Sequence, residues 1–159
     1  MKLIKGKLPK EKKLRRAAPD AAYKTLAAFR AAHVHPGTEN EADIAAAGKI
    51  RDIHPAARPL PGEYMVTQSG QLQAVCALHG INHLIYAGFA VNYCILMSPG
   101  GMLDMSRRGF LCSVVREATT AVENDFSARD ETAKRLALWN TALSFGFVYD
   151  QADLEKALL

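Results

Sequence analysis

Three features of the sequence predict an α/β fold, a parallel β-sheet flanked by helices in a Rossmann-type three-layer arrangement. From Ser69 onward, helical apolar spacing alternates with short strand-like runs, the pattern of successive right-handed β-α-β crossovers. The run His83-Leu84-Ile85-Tyr86-Ala87-Gly88-Phe89-Ala90 is nearly all apolar, which suits a parallel strand buried on both faces. The length, 159 residues, suits one domain that buries roughly 70% of the surface its unfolded chain exposes. The chain divides into a basic tail over 1–20 and one domain over 21–159.

Pro19-Asp20 marks a helix start, and Ala21 to Ala32 places Tyr23, Leu26 and Phe29 along one apolar face. From His33 to Gly62, repeated Pro and Gly predict a loop-rich region with one short helix at Glu41 to Ala47. Glu63 to Thr67 has strand character. Ser69 is placed to cap a helix that runs to His79 and stops at Gly80, with Leu72, Val75, Cys76 and His79 on one face. After the apolar strand, a helix is expected from Asn92, broken by Ser98-Pro99-Gly100-Gly101 and resumed from Met102 to Arg108. Phe110 to Val115 is the next strand and 116–127 a connecting loop. Ala128 to Phe145 then reads as a long amphipathic helix with Ala133, Leu136, Ala137, Trp139, Asn140, Leu143 and Ser144 on its patterned face. Gly146 ends it, Phe147 to Tyr149 is a short strand, and Asp150 starts a last helix with Leu154, Ala157 and Leu158 turned inward.

The composition is that of a soluble globular chain, 49% apolar and 23% charged, which argues against a mainly disordered or fibrous one. No apolar run approaches the roughly 18 residues that a spanning helix needs. The basic start lacks an apolar h-region and a cleavage site, so a cytoplasmic location with no membrane partner is expected. Cys76, Cys94 and Cys112 are an odd set without a C-x-x-C pair, indicating reduced thiols rather than disulfides or a zinc knuckle. The net charge of +4 sits in the tail, where Met1 to Asp20 holds eight Lys or Arg against Glu11 and Asp20. Such an arm is either simply solvated or touches an anionic surface. It carries no aromatic for base stacking, so nucleic acid is not an expected partner.

In parallel sheets, ligands bind beyond the carboxyl ends of the strands. Cys94 follows the end of the clearest strand, at the first turn of a helix. Unpaired N–H groups and the helix dipole there favour a thiolate, and the same N–H groups can hold the oxyanion formed when the thiolate attacks a carbonyl. The alternative is that Cys94 packs as a small hydrophobe, the role assigned to Cys76 and Cys112. His83 lies at the far end of the strand, roughly 20 Å away at 3.3 Å per residue, so it and His79 are read as structural.

The segment Gly80 to Leu96 (GINHLIYAGFAVNYCIL) resembles the part of isochorismatase-like cysteine hydrolases in which a buried strand delivers the catalytic cysteine. Asp104 to Phe110 and Arg116 to Glu123 continue the resemblance in order, over residues 62 to 158. The resemblance implies Cys94 as nucleophile, a cis peptide joining Phe89 to Ala90, and an oxyanion hole made by the N–H groups of Ala90 and Cys94. It also implies a small-molecule substrate with an amide, related C–N or ether bond, no cofactor, and a homo-oligomer.

Two further members of the family's set have no match. Met1 to Ala32 contains no apolar strand to carry the family Asp, so the N-terminal part is atypical or truncated. The family Lys position is occupied by Gln68, which carries no charge, and Val91 stands where a small polar residue is common. A catalytically impaired relative, serving as an oligomerising or ligand-binding module, is the second reading. Some relatives hold a metal through Asp-x-His. His33-x-His35 and Asp52-x-His54 lack a third ligand at that spacing and read as turns, so no metal is expected.

Overall fold

The computed structural model describes residues 18–33 and 41–158. Most of the basic tail, the 34–40 segment with His35, and Leu159 lie outside the described residues. The described residues fall into two units, one ending at Leu60 and one starting at Pro61.

Among its described residues the first unit holds α1 (Ala21–His33), α2 (Glu41–Ile50) and a 3-10 turn at Pro55–Ala57. The Asp20 carboxylate accepts from the N–H of Tyr23 at 2.7 Å, which is why α1 begins where it does. α2 runs three residues beyond the predicted Ala47. Neither helix buries a residue within the described chain, so the apolar stripe of Tyr23, Leu26 and Phe29 is exposed.

The second unit contains α3 (Ser69–His79), β1 (His83–Gly88), α4 (Cys94–Met97), α5 (Met102–Arg107), β2 (Leu111–Thr119), α6 (Thr132–Ser144), β3 (Val148–Tyr149) and α7 (Gln151–Leu158). The strands form one sheet in the order β1-β2-β3, every pair parallel. This is the parallel sheet with flanking helices that the alternating pattern predicts. The register pairs Leu84 with Cys112 and Tyr86 with Val114, and Val114 with Val148. Those residues share one face, and the core forms there: Ile95, Met102 and Met105 from α4 and α5, Ala137 and Leu138 from α6, and Leu72 from α3 pack against it. A physical rule explains the one-sidedness. Right-handed crossovers that add strands in a single direction carry every connecting helix to the same side.

The opposite face, with His83, Ile85, Leu111, Phe147 and Tyr149, is only partly covered. Ile85 is 45% exposed and Leu111 40%. β1 is therefore not buried on both sides as its continuous apolar run predicts. It is an edge strand, and among the described residues only one of its faces has a full helical layer.

Other elements differ from expectation for local reasons. Glu63 to Thr67 is not a strand, because no neighbouring strand pairs with it among the described residues. Its backbone is held instead by the Thr67 N–H bond to the Gln71 side chain at 2.9 Å. Ser69 does not cap α3. Gln68 occupies the cap position without a side-chain bond, and the Ser69 hydroxyl, buried, bonds to the Asp104 carboxylate and accepts from the Gly100 N–H at 2.8 Å. β2 extends to Thr119, four residues past the predicted end. The long helix starts at Thr132 rather than Ala128, because Glu131 at φ 49° separates it from a 3-10 turn at Ala128–Asp130. Its buried side is Ala137, Leu138 and Thr141, whereas Leu136, Trp139 and Leu143 face outward. On α7, Leu154 is half-buried but Ala157 and Leu158 are exposed.

Gly146 is needed where α6 returns to β3. A Cβ on it would lie 2.5 Å from the carbonyl oxygen of Cys112 and 2.6 Å from the Ser113 hydroxyl. A bare Cα lets the returning chain press onto β2, where Cys112 N–H donates to Phe145 O at 3.0 Å.

Candidate active site

β1 ends at Gly88, whose φ of +119° lies in the region that favours glycine and turns the chain off the sheet. The next five residues are stitched to the exit of β2. Thr120 N–H donates to Gly88 O at 3.1 Å and Val91 N–H to Thr120 O at 2.7 Å. Asn92 then clamps Val122 in both directions, its amide donating to Val122 O and its oxygen accepting from Val122 N–H, each at 2.9 Å. Ala90, Val91 and Ile95 are buried and anchor this turn in the core. Cys94 rides on it, exposed, as the first residue of α4.

The Phe89–Ala90 peptide is cis. Ala90 O accepts from the N–H groups of both Tyr93 and Ile95 at 3.0 Å, closing a tight turn around Cys94. Among the described residues, the N–H groups of Ala90 and Cys94 have no hydrogen-bond acceptor. α4 is a single turn, Cys94–Met97, starting two residues after the expected Asn92 and broken at Ser98 before α5 resumes at Met102, as the Ser-Pro-Gly-Gly stretch predicts. Any electrostatic help to a negative charge here comes from local N–H groups rather than from a summed dipole.

The apolar surroundings are open. Phe89 is 80% exposed, and Tyr93, Met97 and Val122 are exposed as well. Gln68 lies at the N-terminal end of α3, which runs back toward the start of β1, so Gln68 and Cys94 occupy the same end of the sheet. Its side chain is exposed and makes no cap.

Cys76 and Cys112 are buried, and burial pushes both thiols up. Burial likewise drives the Tyr86 phenol far above its usual range, and its O–H donates to Gly100 O at 2.8 Å. Of the two histidines on this unit, His83 bonds Ser113 Oγ at 2.7 Å and His79 bonds the Tyr64 hydroxyl at 2.9 Å. Both are at the other end of the sheet from Cys94. In the first unit, Asp52 accepts from Ile53 N–H and pairs with Arg58 at 2.8 Å, and His54 accepts from Ala56 N–H. These side chains serve their own turns. No group of three potential metal ligands occurs among the described residues.

No family model matches the chain, and no curated protein matches it. Solved structures do. An isochorismatase-like hydrolase from Alkaliphilus metalliredigens superposes with a TM-score of 0.54 at 18% identity, over 68% of this chain and 58% of that one. A cysteine hydrolase from Pseudomonas syringae pv. phaseolicola 1448A gives 0.55 at 18% identity, over 84% and 76%. The fold is that of the isochorismatase-like hydrolases. The chain spans 58% of the length of the Alkaliphilus protein, so the isochorismatase-like architecture is present here in part. The turn from Gly88 to Cys94 leaves the carboxyl end of β1, where parallel sheets bind ligands.

Asn92 is the residue that the sequence reading does not single out. An amide side chain between a strand end and the next helix is the available signal, because Asn bonds backbone groups in turns.

Proposed function

We propose that this chain is a cysteine hydrolase of isochorismatase type, cleaving an amide, related C–N or ether bond of a small molecule through Cys94. The observation that carries the reading is an exposed thiol on a hydrogen-bonded turn that also carries two backbone N–H groups without an acceptor among the described residues.

With an amide substrate, Cys94 Sγ attacks the carbonyl carbon and a C–S bond forms. The carbonyl oxygen takes the negative charge, and the N–H groups of Ala90 and Cys94 hold it. Removing one such donor typically costs roughly 10²–10³ in rate. Collapse breaks the C–N bond, the amine leaves with a proton, and water hydrolyses the thioester to regenerate the thiol. No carboxylate or imidazole bonds Cys94 among the described residues, so water carries the proton in this scheme. A positioned general base is worth roughly 10²–10⁴ in rate, and turnover is expected to be slow by that margin.

The test is hydrolysis of a panel of small amides by wild type, Cys94→Ala and Cys76→Ala. Loss of activity in the first variant alone supports the reading, and equal activity in Cys94→Ala sinks it. The uncharged Gln68 favours a second reading, a ligand-binding module without turnover. Thermal stabilisation by members of the same panel, with no product formed, would select it.

A further inference from the structure

β1 leaves one side of its backbone unpaired among the described residues. Leu111 N–H donates to Asn82 O and Thr120 N–H to Gly88 O. In a parallel ladder, alternate residues face the same neighbour, so even-numbered residues of this strand turn their N–H and C=O groups toward β2. His83, Ile85 and Ala87 turn theirs outward. Open edges of this kind are normally blunted by charge or proline. This one is not: no Asp, Glu, Lys or Arg occurs from Ile81 to Leu103, and no proline from Ile81 to Ser98.

We propose that the β1 edge pairs with the β1 edge of a second copy of the chain, antiparallel about a two-fold axis at Ile85, joining the two sheets into one. The register follows from the alternation. With Ile85 on the axis, His83 faces the partner subunit's Ala87, and each outward residue belongs to a pair that exchanges both of its N–H to O bonds. The exposed Ile85 side chains meet on the thinly covered face, where Leu111 is also exposed.

Self-complementarity selects a second copy as the occupant. About the axis at Ile85 the edge meets an identical edge with every outward N–H and C=O matched, and the uncharged stretch from Ile81 to Leu103 brings no like charges to the seam. The rest of the chain offers a poorer strand. The first unit forms helices and turns but no strand where described, residues 1–17 hold eight Lys or Arg, and residues 34–40 contain Pro36 and Gly37.

Sedimentation equilibrium of the full chain tests the pairing, together with hydrogen exchange resolved at single amides. Isologous pairing closes at two copies, so twice the chain mass is expected, and Ile85→Lys should halve it while retaining the wild-type circular dichroism. A monomeric wild type, an open-ended assembly, or a folded Ile85→Lys that stays dimeric overturns the proposal. If Ile85→Lys fails to fold, exchange in the wild type decides. The amides of His83, Ile85 and Ala87 should lose protection on dilution while those of Leu84 and Tyr86 keep it. Protection of the outward amides that is independent of concentration would assign the edge to the chain's own residues and overturn the pairing.

Discussion

Cys94 and Glu123 show how the backbone around a single side chain sets its exposure and its charge. The thiol of Cys94 is exposed while those of Cys76 and Cys112 are buried and pushed up. Alkylation of the native protein at mildly alkaline pH is therefore expected to modify Cys94 alone, with the other two labelled only in denaturant. Peptide mapping by mass spectrometry checks this, and equal labelling of all three would mean that the core is not formed. Glu123 accepts from the N–H groups of Ala133 and Lys134 at 3.1 and 2.9 Å, capping the first turn of α6. The Ser127 hydroxyl and those N–H groups hold its carboxyl below the ordinary value of about 4.5. A lowered folded value means the ionised form stabilises. The contribution is complete above the ordinary value and disappears as pH falls through the lowered one. Melting of wild type and Glu123→Gln should differ at neutral pH and converge in acid. At this scale the place of Cys94 beyond the carboxyl end of β1 is legible in the sequence, because the apolar run marks the strand and Gly88 its end. Asn92, Glu123 and Gln71 are not, because each acts on a backbone group whose position depends on the fold.

Within α6 the direction of the helix matters more than its spacing. The periodicity locates a helix, but two stripes are apolar, Ala133-Ala137-Leu138-Thr141 and Leu136-Trp139-Leu143, and spacing alone does not say which one meets the sheet. The structure buries the first and leaves Leu143 62% exposed. Leu138→Ala should cost about 2–5 kcal/mol, whereas Leu143→Ala should stay within about 0.5 kcal/mol; denaturant titration separates them. Gly146→Ala is expected to cost about 1–3 kcal/mol because its Cβ would meet the Cys112 carbonyl, a backbone atom that can move only by opening the sheet. The extension of β2 to Thr119 escapes the sequence reading for a related reason. Arg116, Glu117 and Ala118 are exposed and read as loop, yet they lie within β2 as an irregularity between Val114 and Thr119, which pair with Tyr86 and Gly88. Arg116 pairs with Asp150 at 2.5 Å, and the Glu117 carboxylate accepts from Gln151 N–H at 2.8 Å, so the strand's polar end holds the start of α7.

For the molecule as a whole, the alternation from Ser69 onward is enough to give parallel strands, because connection length and handedness leave few topologies. What it does not give is the number of strands. An apolar run predicts burial on both faces, and whether something supplies the second layer is not encoded in that run. β1 shows the result, an edge strand with the sequence of a central one. No helix among the described residues is long and apolar enough to cross a membrane. One further property follows from the exposed thiol on its clamped turn. The chain has a single tryptophan, Trp139, exposed on α6, and a single cysteine open to solvent. An acceptor dye attached at Cys94 and the indole of Trp139 form a ready-made optical ruler between the helical layer and the carboxyl end of β1. Loosening of the Asn92–Val122 clamp would then be visible as a change in energy transfer before the sheet itself unfolds.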